Sequence, residues 1–289
     1  MNVTRRRFLT ISAAATLLSG VRYDEYRWSG QALGAETSLV FRAPKDMAED
    51  TISSVLALVE RFENTFSIYR NTSEINTLNQ VADIKPSKLF FELAGHVDEI
   101  HRNSNGYFDP TVQSIWGQTH DLINDQRWQN VTLTHDRIAL PKNTQICFNG
   151  IAQGFLTDLV AAHLKTHGFT DVLVNFGEFK GIGGPWNVGL HQPSGVKSVK
   201  LSNTAIATSA PDAMGQSNGR SHMINPFGNK DIEYKSVSVE HRSAMIADAL
   251  STAFVFMPPE KIQNVISKSY PNSRVHLITK DEQMISLNA

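Results

Sequence analysis

The segment Ala247-Asp248-Ala249-Leu250-Ser251-Thr252-Ala253 carries the sharpest chemical pattern in the chain. Asp248 and Thr252 are four residues apart, so a helix stacks them on one face. Their neighbours are apolar or small, and a carboxylate in such company is costly to bury without a partner. A hard cation held by Asp248 and the Thr252 hydroxyl would be such a partner. Magnesium suits the pair, because it takes one or two carboxylates and completes its shell with phosphate and water. The same spacing also serves a carboxylate that caps locally and a hydroxyl that bonds back to a carbonyl. Spacing alone leaves both readings open.

Four other segments could contribute. Asn149-Gly150-Ile151-Ala152-Gln153-Gly154 lies where a strand ends and a helix begins. Glycines there admit a ligand close to the backbone, and the helix N-terminus suits a phosphate. A plain strand-to-helix turn uses the same residues. Gly106-Tyr107-Phe108-Asp109-Pro110 and Phe66-Ser67-Ile68-Tyr69 each place aromatics beside a turn, where they could stack on a planar ring or simply close a buried loop. In Ser221-His222-Met223-Ile224-Asn225-Pro226, the imidazole of His222 could move a proton at neutral pH. A hydrogen-bonded structural histidine is the alternative, and it is the reading for His163 and His167.

The elements that must position these residues follow from periodicity. Apolar residues at three- and four-residue spacing predict helices over 44–66, 86–103 and 151–167, with Asn105-Gly106 and Gly168 as stops. A fourth helix is predicted over 243–257, closed by Pro258-Pro259. Short runs bounded by turn residues predict strands over 172–176, 186–190, 205–209, 236–240 and 274–279. No repeat and no low-complexity linker divides the chain. The fold class is therefore α+β, in one compact body that could have two lobes.

Composition narrows the function classes. The 289 residues carry a net charge of −1, with no long basic run after the first residues, which argues against nucleic acid as a partner. The single cysteine, Cys147, excludes an internal disulfide and a thiolate zinc cluster, and reads as a small buried residue. Thr4-Arg5-Arg6-Arg7-Phe8-Leu9-Thr10 followed by an apolar run to Leu18 predicts a twin-arginine export signal over 1–20. That run is shorter than the ~20 residues that span a bilayer. The expected location is the periplasm, reached through the Tat translocon, with an anchored form if the signal is not cleaved. The remaining residues, 21–289, form the working domain.

In order along the chain, Leu33-Gly34, Phe66 to Tyr69, Phe108 to Val112, Gly150 to Gly154, Asn175-Phe176-Gly177, Ala207-Thr208-Ser209, His222 to Pro226 and Ala247 to Ala253 resemble the ApbE family of flavin transferases. The resemblance runs from about Trp28 to the end. It implies a fold related to the T-fold α+β type. It also implies FAD as donor, Mg²⁺ as cofactor, and a Ser or Thr hydroxyl of an exported flavoprotein as FMN acceptor, with AMP released. By the same resemblance Leu33, Tyr69, Tyr107, Phe108, Asp109, Gln153 and Met223 would contact the dinucleotide. Gly150 would join Asp248 and Thr252 at the metal, and His222 would act on the incoming hydroxyl. Related alternatives are an FAD pyrophosphatase and a periplasmic FAD-binding assembly protein that does not react. The chain departs from the family pattern at Cys147 and Asn225, each standing where an Asp is usual. Asn149 and Glu178 stand in place of Gly, and Gln153 in place of Lys.

Overall fold

The computed structural model describes residues 9–11, 25–116, 123–192, 195–211, 223–228 and 232–289. Four strands and three helices come first: β1 (Leu9–Ile11), β2 (Glu25–Ala32), β3 (Ala35–Arg42), α1 (Lys45–Phe66), α2 (Glu74–Val81), β4 (Asp83–Ile84) and α3 (Lys88–Asn103). The middle contains β5 (Thr132–Thr134), β6 (Arg137–Ala139), α4 (Ala152–Thr166), β7 (Val172–Asn175), β8 (Phe179–Ile182), β9 (Trp186–Gln192), β10 (Gly195–Leu201) and β11 (Ala205–Ser209). Then follow β12 (Tyr234–His241), α5 (Ala244–Phe254), α6 (Pro259–Ser269), β13 (Arg274–Thr279) and β14 (Met284–Asn288).

An eight-stranded sheet in the order β14-β13-β12-β11-β8-β7-β3-β2 organises the molecule, and every neighbouring pair in it is antiparallel. Its central strands are apolar on both faces, because side chains alternate with a period of two. Leu39, Phe41, Val172, Val174 and Ala207 join the larger core with residues of α1, α3, α4, α5 and α6. Their sequence neighbours Val40, Leu173 and Ile206 turn the other way, onto Trp186, Val188 and Leu190 of β9 and Val199 and Leu201 of β10. β9 pairs with β10 on one side and β1 on the other. Two-sided burial explains why these strands read as short apolar runs rather than strict alternation.

The α+β class and the single body hold. Three of the predicted helices appear within about two residues of their expected ends. The fourth is shorter than expected: α5 stops at Phe254, and Pro259 starts α6 instead of merely closing α5. A proline is tolerated at that first helical position because its missing N–H would have no intrahelical partner. The hairpin β2–β3, helix α2 and strand β14 were not predicted. Of the proposed export signal, residues 1–8 and 12–20 lie outside the described residues.

Candidate active site

Helices α4 and α5 lie antiparallel, and contacts at four-residue intervals lock them together. At one end the Asp158 carboxylate accepts from the Ser243 hydroxyl at 2.6 Å and from the backbone N–H groups of Ala244 and Met245 at 3.0 and 3.1 Å. It therefore caps the positive end of α5 with an anion, and Lys180 pairs with it at 2.5 Å. One turn along, the Gly154 N–H donates to Asp248 Oδ2 at 3.0 Å. A Cβ at Gly154 would come within 2.3 Å of the Ala244 carbonyl oxygen, so only glycine admits this approach. One turn further, the Thr252 hydroxyl lies 3.4 Å from the Gly150 carbonyl oxygen, and a Cβ at Gly150 would meet Thr252 at 2.9 Å. Positions 150, 154 and 158 thus face 252, 248 and 244. The i, i+4 pair on α5 is placed by Gly154 on α4 and by Gly150 in the turn just before it.

Asp248, Thr252 and Gly150 share the wall of a cavity of about 430 Å³, within the range of pockets that hold small molecules. The end of β11 contributes Ser209, whose hydroxyl is 2.8 Å from that of Ser251 and 3.4 Å from that of Thr252. The turn between β7 and β8 contributes Asn175, Gly177 and Glu178. Gly177 has φ +109°, and a Cβ there would lie 2.7 Å from Gln153 Cβ. Glu178 is buried and accepts from the Thr208 N–H at 3.2 Å. Tyr107, Phe108 and Met223 supply apolar wall.

Four carboxylate residues line the cavity, Glu36, Asp109, Glu178 and Asp248, while none of the described lining residues is Lys or Arg. The Asp109 carboxylate is turned inward. It accepts from the Thr111 N–H and hydroxyl at 3.0 and 2.6 Å, and from the Trp128 N–H at 3.4 Å. Burial pushes its carboxyl above the ordinary carboxylate range, while Thr111 and His101 pull it down. The first turn of α4 is also less open than a bare helix start. Phe148 O accepts from Ile151 and Ala152, and Asp248 takes the Gly154 N–H. Those groups are not free to hold a phosphate, which corrects the expectation drawn from the helix terminus.

The sequence 33–277 matches the family model described as ApbE family. The chain belongs to the ApbE family. A curated relative from Vibrio cholerae serotype O1, named FAD:protein FMN transferase, is 25% identical, with 89% of each chain covered. One of the same name from Klebsiella pneumoniae is 22% identical, covering 93% of this chain and 86% of the relative. Among solved structures, the Pseudomonas stutzeri flavinyl transferase ApbE in its apo form superposes with a TM-score of 0.79 at 21% identity, covering 93% of this chain and 96% of that one. The Thermotoga maritima ApbE protein gives 0.79 at 21% identity, covering 91% and 97%. The shared fold is that of ApbE flavin transferases.

The fold brings Tyr107, Phe108, Asp109, Gly150, Gln153, Met223, Asp248 and Thr252 to one cavity. Leu33 and Tyr69 are not among its lining residues. Leu33 is in the β2–β3 turn, and Tyr69 lies beside that turn, where a Cβ at Gly34 would be 3.6 Å from its ring; Tyr69 is 73% exposed. Ala35 and Glu36, directly after that turn, do line the cavity. His222 lies outside the described residues. Cys147 is buried as expected, but it also forms part of the cavity wall. Sequence reasoning gave no role to Ser209 or Glu36. Ser209 sits in the matched Ala207-Thr208-Ser209 run, whereas nothing in the sequence points to Glu36.

The donors around Thr252 fit magnesium. The Asp248 carboxylate, Thr252 hydroxyl and Gly150 carbonyl are all hard oxygens within one corner of the wall, where the lack of a side chain on Gly150 leaves room beside Thr252. Among the described residues no three His, Cys, Asp or Glu side chains converge on a point.

Proposed function

We propose that this protein transfers FMN from FAD to a Ser or Thr hydroxyl of an exported flavoprotein, with Mg²⁺ required and AMP released. The observation that carries the reading is the corner formed by Gly150, Asp248 and Thr252 on the wall of a cavity with carboxylates and no described Lys or Arg. A diphosphate entering such a cavity meets no Lys or Arg among the described lining residues, and a bound ion would offset its charge. Bound at Asp248, Thr252 and Gly150, Mg²⁺ would neutralise charge on the diphosphate oxygens.

The remaining work falls to the chain. Gly154 fixes the Asp248 carboxylate through its N–H, and Asp158 fixes the start of α5. Tyr107 and Phe108 offer aromatic surface to the dinucleotide rings. Gly177 lets the β7–β8 turn close on Gln153. The acceptor oxygen attacks the FMN phosphorus, the bond to the AMP oxygen breaks, and His222 takes the hydroxyl proton. Positioning and charge compensation suffice for phosphoryl-type chemistry.

Mass spectrometry of a candidate flavoprotein after incubation with this protein, FAD and Mg²⁺ tests the reading. A covalent FMN adduct is expected. AMP release without an acceptor would instead favour hydrolysis, and intact FAD in the presence of acceptor and metal would favour a binding role. Export is part of the same proposal. Its support is the paired-arginine segment at Arg5-Arg6 and the apolar run behind it. Replacing both arginines by Lys should keep the protein out of the periplasmic fraction, and unchanged export would refute the Tat route.

A further inference from the structure

A second recess, of about 440 Å³, is lined by His101, Arg102, Asn105, Arg127, Gln129 and Phe227 among others. It has the opposite character to the first cavity, because no described lining residue is Asp or Glu. The residues 107–109, which follow directly on this recess in sequence, line the first cavity.

His101 is the built element of this recess. It is only 6% exposed. Its Nδ1 lies 2.8 Å from the Phe108 carbonyl oxygen. A carbonyl can only accept, so Nδ1 carries the hydrogen and points to the protein interior. The Asp109 carboxylate stands behind it at 3.9 Å. Nε2 makes no hydrogen bond among the described residues, and the ring lines the recess. Nε2, on the opposite side of the ring, is left as an acceptor open to a donor from outside.

Arg127 adds the charge. One of its nitrogens donates to the Pro226 carbonyl at 2.8 Å, and its guanidinium lies 4.7 Å from the centre of the Phe227 ring. It has no carboxylate partner among the described residues. Arg102 is exposed and pairs at 2.5 Å with Asp98, so it contributes less. The side-chain amides of Asn105 and Gln129 supply further donors at the rim. Phe227, 40% exposed, offers an aromatic ring, and packs edge-on against Tyr107 of the first cavity at 4.9 Å.

We propose that this recess binds a phosphate-class oxyanion, held by the Arg127 guanidinium and by a P–OH of the anion donating to His101 Nε2. The shared chemistry fits inorganic phosphate and the phosphate monoester of a nucleotide, and the exposed ring of Phe227 is the feature that separates them. A nucleotide base can stack on it, whereas free phosphate gains nothing from it.

The test is calorimetric titration of the full chain without divalent metal, using sodium phosphate, AMP and adenosine at fixed ionic strength. Side-chain histidine signals are followed by ¹H–¹⁵N NMR. Saturable phosphate binding that moves the His101 signals is expected. Arg127→Gln should weaken it at least tenfold. Gln129→Glu, an exposed change that places a negative charge at the rim without disturbing the core, should do the same. AMP binding more tightly than phosphate, with the advantage erased by Phe227→Ala, assigns the site to a nucleotide; equal affinities assign it to free phosphate. Absence of saturable binding by both anions overturns the proposal. So does binding that leaves the His101 signals unmoved or is indifferent to both Arg127→Gln and Gln129→Glu.

Discussion

Asp248 uses its carboxylate both to hold α5 against α4 and to face the cavity. Thr252 has a simpler role, since its hydroxyl makes only weak 3.4 Å contacts with Gly150 and Ser209. Thr252→Val keeps the shape and removes the oxygen. On our account it leaves thermal stability close to wild type and raises the Mg²⁺ concentration needed for half-maximal AMP formation by roughly tenfold, equivalent to about 1.4 kcal/mol. An unchanged metal requirement would remove Thr252 from the site. The pairing of Asp248 with Thr252 was readable from sequence because four residues make about one helical turn. The placement of Gly150 beside them came only from the resemblance to the ApbE family, since spacing alone does not say how two distant segments meet. Asp109 is a similar case. The resemblance alone placed it against the dinucleotide; it lines the cavity, and its carboxylate also accepts from three donors of Thr111 and Trp128, which the sequence did not show.

Helix packing sets the precision of the site. Gly154 lets α4 come against the α5 backbone, with no room there for a Cβ. Gly154→Ala would place a methyl group within 2.3 Å of a backbone oxygen that cannot swing aside. Overpacking of this kind costs about 1–3 kcal/mol. The variant should show a lower midpoint in urea with an unchanged slope, together with reduced FAD turnover, because Asp248 loses its donor as the helices separate. Stability equal to wild type would contradict the close crossing. The long helices were legible because their buried faces repeat regularly, as in Val55, Val59, Phe62 and Phe66 of α1. Helix α2 was not, being eight residues long with only Ile75 and Leu78 buried. The β2–β3 hairpin was hidden for another reason. It turns through Leu33 at φ +48° and Gly34 at φ +71°, and the Leu-Gly pair is a weaker signal than Asn-Gly.

Across the whole molecule, the α+β class and single body followed from composition and element order. The wrapping of β9 and β10 over the second face of the main sheet did not, because sequence gives strands without their layers. The fold also carries a pH dependence. His241 accepts the Ser243 N–H on Nδ1 at 3.0 Å, and burial lowers its pKa below the ordinary 6.5. His163 is lowered in the same direction by burial and by His167. Below pH 6.5 the unfolded chain therefore takes up protons that the native state resists, so stability falls with pH through that window and is retained above it. His241→Asn should flatten the dependence of Tm on pH between neutrality and the lowered native value, and an unaltered slope would show that other groups govern it. The central claim concerns the ion at Asp248, Thr252 and Gly150. Its most direct test is AMP formation from FAD, with acceptor present, as Mg²⁺ is titrated into wild type and Asp248→Asn. Asparagine can still accept the Gly154 N–H through its amide oxygen, so the fold is retained while the charge is lost. The account predicts a saturable Mg²⁺ dependence in wild type and a loss of at least ~10²-fold in the variant at comparable Tm, about 2.7 kcal/mol. Turnover that proceeds without divalent metal, or at the wild-type rate in Asp248→Asn, would contradict it.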